Sequence, residues 1–505
     1  MKLKILFTSD LHGYFFPTDY IHTGCRPMGV NALSGMFRAA RDENTLTIDG
    51  GDTLQGSPFA YYAAHHGRVP LLARAMNDAG YDYVTVGNHD FNYGYDVLSG
   101  YLNALNAKAL AANVEDLGGE MPLFQTDVRA LPNGLRVGVV GAVTDWVNRW
   151  EKPANLAKLR VNDTLSAVQR AYEALRGKCD VTVCVYHGGV EKDLDTGRVY
   201  SDSGENLACR IAETCPFDIL LTGHQHLAIP SAKWARSHIV QTPANAPCYA
   251  EVVWEDGEIS SRLVPAEGEG TPSAALSALE NEVEAWLDTP VSRLNRPLAP
   301  EKPLLMALHG SPIANLFNRV QTRVSGCDVS CTSLANEVRG FAENVTVRDV
   351  VSTYVYPNTL VLLRVTGAQL KEAMENCASY FEMDEGGRVT VSEKFMKPKV
   401  SHYNFDYYSG VEYRFELSEP VGSRVAELTR NGRPVKPDDA LTMCVNNYRA
   451  TGVGGYDALR DCPHEREILT EMSEILLDFF AANPLVTVDE ASPYRVTYHG
   501  KPVLA

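Results

Sequence analysis

Short apolar runs at 3–7, 46–48, 83–86, 137–140, 181–186 and 219–221 predict strands in the first half of the chain. Between them, 30–41, 69–79, 95–106 and 164–175 carry apolar residues at helical spacing. Strand and helix alternating in this way predict a layered α/β domain. Most of the runs end in a polar cluster on their C-terminal side, where open α/β sheets place their sites.

The pattern changes after residue 262. Glu267-Gly268-Glu269-Gly270-Thr271-Pro272 is a turn-rich break. A helix is expected at 274–287, with Ala275, Leu279, Val283 and Trp286 on its apolar face, and Pro297, Pro300 and Pro303 mark a further junction. This organisation gives a first domain at 1–262, a connector with a helix at 263–300 and a second domain at 301–505, which mixes helices with strands such as 360–365 and 441–445. No internal repeat or low-complexity tract interrupts it.

Composition narrows the class. A chain of 505 residues exceeds one ordinary core, and 45% hydrophobic with 22% charged residues is the balance of a globular enzyme. The net charge of −17 argues against a nucleic-acid polymer as ligand, since an acidic surface repels a phosphate backbone, but leaves room for a small anion if cations reverse the field locally. The 11 cysteines are odd in number, scattered, and include no Cys-x-x-Cys. No run is long and apolar enough to suggest a membrane span. The opening apolar run ends at Thr8-Ser9-Asp10 and reads as a first strand rather than a secretory signal. A cytoplasmic protein with reduced thiols is therefore expected.

The candidate chemistry sits in five segments, each just after a predicted strand: Asp10-Leu11-His12, Gly51-Asp52, Gly87-Asn88-His89-Asp90, Tyr186-His187-Gly188-Gly189 and Gly223-His224-Gln225-His226. In an extended Asp-x-His, alternate side chains point the same way, so both can reach one ion. Asp52 has two oxygens with which to bridge two cations, Asn88 offers an amide oxygen, and the histidines offer imidazole nitrogens. Such mixed N/O donors suit Mn2+, Zn2+ or Fe.

In this order the five segments resemble the calcineurin-like metallophosphoesterases, more closely the bacterial 5′-nucleotidase family, and within it the 2′,3′-cyclic-nucleotide 2′-phosphodiesterase/3′-nucleotidases. The likeness spans nearly the whole chain. It includes Gly51-Asp52-Thr53-Leu54-Gln55-Gly56-Ser57-Pro58, Tyr356-Pro357-Asn358-Thr359, Tyr403-Asn404-Phe405-Asp406 and Asn446-Asn447-Tyr448-Arg449-Ala450. The resemblance implies a four-layer domain of helices on packed β-sheets, followed by an α/β domain that reads the nucleotide. It also implies two divalent metal ions, one held by Asp10, His12, Asp52 and His226, the other by Asp52, Asn88, His187 and His224. Between them they would activate water for in-line attack on phosphorus.

The family places the histidine equivalent to His89 beside the phosphoryl and leaving oxygens. The 5′-nucleotidase branch orients it with an Asp three residues on; here that residue is Asn92, as in the cyclic-nucleotide branch, and Asn accepts the ring N–H without supplying charge. The family clamps the base between two aromatic residues, for which Tyr448 and either Tyr403 or Phe405 are candidates, while Gly452, Gly454 and Gly455 suggest backbone close to a ligand. The stretch Ser333–Arg339 lacks the glycines that precede the substrate arginine in the 5′-nucleotidase branch, which weakens a role for Arg339. His65, His66, His309 and His402 have no motif around them.

The expected activity is opening of a 2′,3′-cyclic nucleotide to a 3′-nucleotide, then removal of the 3′-phosphate, with a small nucleotide as the partner. A 5′-nucleotidase is the alternative enzyme, and a non-catalytic nucleotide sensor on the same scaffold is the alternative class.

Overall fold

The early strands are apolar on both faces, and the fold buries both. The computed structural model describes residues 1–20, 24–199, 204–356, 358–384, 386–468, 470–488 and 492–503, so Pro357 lies outside the described residues. The chain divides into two compact units, Met1–Glu284 and Ala285–Ala505.

The first unit contains two large sheets. One runs in the order Glu258–Pro265, Cys248–Glu255, Lys2–Thr8, Thr45–Asp49, Tyr83–Val84, Lys108–Leu110, Leu123–Phe124. It is parallel from Lys2–Thr8 onward and closed on the other side by an antiparallel hairpin. The other runs Ile229–Trp234, Ser237–Gln241, Ile219–Thr222, Val181–His187, Arg136–Val143, Thr126–Ala130, with parallel central pairs and antiparallel edges.

The sheets pack face to face through Leu3, Ile5, Phe7 and Ile48 against Val137, Val139, Val183, Val185 and Leu221. Alternate residues of the second sheet, including Val140, Cys184, Tyr186 and Leu220, pack outward with Val168, Ala171 and Leu175 of helix Thr164–Leu175 and Ile211 of helix Ala208–Thr214. On the first sheet's outer face, Phe37 of helix Val30–Ala40 stands edge-on to Tyr249, 5.2 Å between ring centroids. The result is helix, sheet, sheet, helix: an α/β domain of four layers.

All six predicted strands form, and the helices at Val69–Ala79 and Thr164–Leu175 have the predicted bounds. The hairpin Cys248–Glu255/Glu258–Pro265 has no counterpart in the apolar runs because its outer strand is half exposed, EISSRLVP. Helix Ala274–Leu287 forms, but its buried stripe is Leu276, Leu279, Val283 and Leu287; Ala275 is exposed and Trp286 half-buried. The larger leucines displace the face by one residue.

In the second unit a five-stranded sheet runs Asp406–Ser409, Val329–Ser333, Ala440–Asn446, Leu360–Thr366, His464–Ile468. A second sheet is built on Val425–Arg430, Glu412–Glu416 and Tyr494–Tyr498. Both contribute to one core with helices Pro312–Ser325 and Gly367–Ala378. No helix among the described residues is long and apolar enough to cross a membrane.

Candidate active site

Parallel strands bring their C-terminal ends to one edge, and the five segments emerge there. Asp10 and His12 follow Lys2–Thr8, Asp52 follows Thr45–Asp49, His187 ends Val181–His187, and His224 and His226 follow Ile219–Thr222. The local backbone is not extended as the Asp-x-His spacing suggested. Asp10, His12, Asp52, His224 and His226 all adopt left-handed conformations, with φ of 58°, 49°, 59°, 69° and 58°. The side chains therefore converge through tight left-handed turns, each costing about 1 kcal/mol or more, and such strain persists only where the surroundings over-determine it. Two glycines make the turns possible. A Cβ on Gly51 would lie 2.4 Å from the Gly87 nitrogen, and one on Gly87 would lie 2.1 Å from Asp52 Oδ1.

The convergence produces two clusters whose donor atoms can hold an ion, Asp10/His12/His226 and Asp52/His187/His224, each with its atoms within 4.8 Å of one another. In the first, His12 Nε2 faces His226 Nε2 at 3.0 Å, and His226 Nε2 lies 3.4 Å from Asp10 Oδ1. In the second, His187 Nε2 lies 3.1 Å from Asp52 Oδ2, and His224 Nδ1 lies 2.8 Å from Asn88 Oδ1.

The outer nitrogens decide which lone pairs point inward. His12 Nδ1 donates to the Gln55 carbonyl at 2.8 Å and His187 Nδ1 to the Gly50 carbonyl at 2.7 Å, so each ring turns its Nε2 lone pair to its cluster. His224 is reversed: its Nε2 meets Glu205 Oε1 at 2.9 Å, leaving Nδ1 for the site. A carbonyl or carboxylate behind the imidazole is the support that metal-ligating histidines use.

The donor set fits divalent cations on a further observation. Among the described residues, Asp52 Oδ2 and His187 Nε2 are buried and meet only each other, at 3.1 Å. Burial works against charge on both residues, yet the Asp52 carboxylate lifts His187 to about 10, while the His187 and His89 charges hold Asp52 well below the usual carboxylate range. The pocket therefore favours positive charge beside Asp52, the role a divalent ion would take. Burial lowers His12, which favours the neutral imidazole a cation needs.

His89 belongs to neither cluster. Its backbone N–H donates to Asp52 Oδ1 at 2.7 Å, its ring lies edge-on to His12 with centroids 5.4 Å apart, and its Nδ1 meets Asn92 Oδ1 at 2.8 Å. It lies beside the clusters.

Several supporting residues had no role assigned from the sequence. Asp90 accepts backbone N–H groups from Asp52, Thr53, Leu54 and Gly87, and so clamps the Asp52 turn; burial, then Asp52, raises it to about 6. Asp49 accepts from Thr8, Thr53 and Gly51 and is raised to about 7, chiefly by burial. Trp150 stacks on His224 at 5.4 Å, and Glu151 takes an N–H of Asn92. Asp90 lies inside a quoted motif; Trp150 ends the short helix Val147–Trp150, and Glu151 and Glu205 lie outside helices and strands, in stretches whose composition gives no hint of them.

In the second unit the aromatic candidates separate. Phe405 is 2% exposed and packs among Tyr380, Phe381 and Tyr407, so it is a core residue with no ring face for a base. Tyr403 and Tyr448 are half-buried. A buried pair ties their segments together: Arg449 meets Asp406 through Nε–Oδ2 at 2.8 Å and Nη2–Oδ1 at 3.0 Å, and also donates to the carbonyls of Tyr403 and Val453. Of the glycines after Tyr448, Gly454 makes room for this network. A Cβ on Gly454 would lie 2.4 Å from Asn404 Oδ1 and 2.7 Å from Arg449 Nη1. Arg339 is bound to Asp349 at 2.9 Å. His65 and His66 stack on Tyr61 and Tyr62, and His402 Nδ1 meets the Tyr380 hydroxyl.

Comparison with known proteins agrees with this geometry. Residues 3–228 match the calcineurin-like phosphoesterase family model, and 304–461 match the 5′-nucleotidase C-terminal domain. The chain is 26% identical to the Salmonella typhimurium 2′,3′-cyclic-nucleotide 2′-phosphodiesterase/3′-nucleotidase, over 90% of this chain and 82% of that protein. It is 24% identical to the Haemophilus influenzae protein of the same name, over 90% and 80%. A Staphylococcus aureus crystal structure, provisionally named a 5′-nucleotidase and solved with alpha-ketoglutarate, is 32% identical, superposes with a TM-score of 0.91, and is matched over 98% of this chain and 100% of that one. The chain belongs to the calcineurin-like phosphoesterases of the 5′-nucleotidase type, a family of metal-dependent hydrolases.

Proposed function

We propose that the enzyme hydrolyses 2′,3′-cyclic nucleotides to 3′-nucleotides and then releases the 3′-phosphate. The observation that carries phosphoester chemistry is the pair of clusters, Asp10/His12/His226 and Asp52/His187/His224, gathered where the strands end. In this reading Asp10, His12, Asp52 and His226 hold one divalent ion, and Asp52, Asn88, His187 and His224 hold the other. Mn2+, Zn2+ and Fe all suit these donors. Two such ions lower the pKa of water and neutralise phosphoryl oxygens.

The protein's own groups do the rest. Asp90 and Asp49 hold the turn that aims Asp52, and Gln55, Gly50 and Glu205 fix the three imidazoles. His89, held at Nδ1 by Asn92, keeps Nε2 for the phosphoryl or leaving oxygen. Tyr403 and Tyr448 take the faces of the base, a contact worth about 1–3 kcal/mol. Both hydrolytic steps suit one centre because only the leaving oxygen differs.

Preference for the cyclic substrate rests on Asn92 at the position where the 5′-nucleotidase branch has Asp, and on the names of the Salmonella and Haemophilus relatives. The 5′-nucleotidase reading draws on the name of the Staphylococcus structure. Cytoplasmic residence is part of the proposal and rests on the free thiols of the cysteines. Phosphate release and product identity from 2′,3′-cyclic AMP, 3′-AMP and 5′-AMP separate the readings. Conversion of the cyclic substrate through 3′-AMP is expected; turnover of 5′-AMP alone would refute it.

A further inference from the structure

Behind His89 stands a chain of side chains that ends on a carboxylate. His89 Nδ1 meets Asn92 Oδ1 at 2.8 Å, and Asn92 Nδ2 donates to Glu151 Oε2 at 2.6 Å. Glu151 is 9% exposed and follows the short helix Val147–Trp150. Its other oxygen, Oε1, accepts the Lys152 backbone N–H at 2.7 Å and Asn155 Nδ2 at 2.8 Å. Asn155 Nδ2 also donates to the Asn92 carbonyl at 2.9 Å, which locks the two segments together.

We propose that Glu151 sets which nitrogen of His89 carries hydrogen, by fixing the orientation of the Asn92 amide between them. An ionised carboxylate only accepts, so the Asn92 NH2 must face Glu151. The Asn92 oxygen must then face the ring, and an oxygen there accepts only from Nδ1–H. Nε2 is left as the nitrogen available to substrate. Asn92 alone could not impose this, because its amide offers a donor or an acceptor equally well depending on its flip. Glu151 is thus a positioning residue, acting on His89 through Asn92. Its consequence for turnover rests on the role proposed above for His89.

The isosteric change Glu151→Gln gives an inverted outcome. A glutamine has one oxygen, and two N–H groups, from Lys152 and Asn155, converge where Oε1 now sits. The oxygen takes that place and the new NH2 faces Asn92. Asn92 turns its oxygen to that NH2 and its own NH2 to His89, which then accepts at Nδ1 and carries hydrogen at Nε2. Adding Asn92→Asp to Glu151→Gln restores the original state, because an aspartate accepts from both neighbours.

The test is the 15N–1H ring correlation of His89 in the Zn2+-loaded full chain, labelled at histidine, assigned by its loss in His89→Asn and recorded where the ring carries one proton. The unaltered protein should show Nδ1–H, Glu151→Gln should show Nε2–H with unchanged metal content, and the double variant should return to Nδ1–H. Turnover of 2′,3′-cyclic AMP should fall about 100-fold in Glu151→Gln and recover in the double variant. A purely structural role would lower thermal stability and leave the proton in place. Persistence of Nδ1–H in Glu151→Gln overturns the inference. Full turnover by His89→Asn refutes instead the role of His89, a separate result from the position of its proton.

Discussion

Removing the Arg449 guanidinium should uncouple base recognition from phosphoester chemistry. Arg449 is 1% exposed, grips both oxygens of Asp406, donates to the Val453 carbonyl at 2.7 Å and lies over the Tyr456 ring at 3.9 Å. Burial opposes its charge, but the Asp406 carboxylate outweighs that and raises its affinity for the proton. In Arg449→Met the apolar stem is kept, while Asp406, itself 1% exposed, is left a buried carboxylate without its partner. Breaking a buried pair from one side costs about 3–5 kcal/mol. For a unit the size of Ala285–Ala505, 1 kcal/mol moves the transition by about 2–4 °C, so the loss should lower Tm by roughly 6–20 °C.

Arg449→Lys should recover little, since an ammonium cannot span both carboxylate oxygens in this geometry. Adding Asp406→Asn to Arg449→Met should recover much of the loss, because it removes the stranded charge. Calorimetry of the full chain gives the shift, and hydrogen exchange in Ala440–Asn446 should locate it in the second unit. KM for nucleotides should rise because Tyr403 and Tyr448 lose their common tie, with hydrolysis of a base-free aryl phosphate diester preserved. A shift under about 2 °C, or equal losses on both substrates, would refute the reasoning.

Three further outcomes are expected. Asp52→Ala should abolish turnover and remove more than one ion per chain by elemental analysis; retention of both ions would refute its bridging position. Tyr448→Ala should raise KM for nucleotides, by up to about 10-fold for each 1.4 kcal/mol of stacking lost, and spare the base-free diester. Phe405→Ala should destabilise the second unit by about 3–5 kcal/mol through the cavity it leaves, with KM of the surviving folded enzyme nearly unchanged.

The sequence made the site legible wherever chemistry and spacing coincide. Five motifs at strand ends named the residues of both clusters, because parallel strands deliver their C-terminal loops to one edge whatever the intervening helices contain. The means of convergence was hidden. Asp and His enter the left-handed region more readily than most residues, yet few of them do, so left-handed φ at Asp10, His12 and Asp52 could not be read from residue type; only the adjoining Gly51 and Gly87 hint at crowding. Glu151 and Glu205 were invisible because each meets its partner across 59 and 19 residues, and no periodicity links a loop carboxylate to a distant amide or imidazole. Tyr403 and Phe405 are two residues apart in one segment, and which enters the core depends on Tyr380 and Phe381, brought in from another part of the chain.

The central claim is that two ions held across Asp52 drive phosphoester hydrolysis. Chelator-stripped enzyme titrated with Mn2+ or Zn2+, with turnover of 2′,3′-cyclic AMP and bound metal measured on the same samples, tests it directly. Turnover should be absent in the stripped enzyme and should return in proportion to occupancy of the second ion, reaching its limit at about two per chain. Full activity in the stripped enzyme, or a maximum at one ion per chain, would contradict the account.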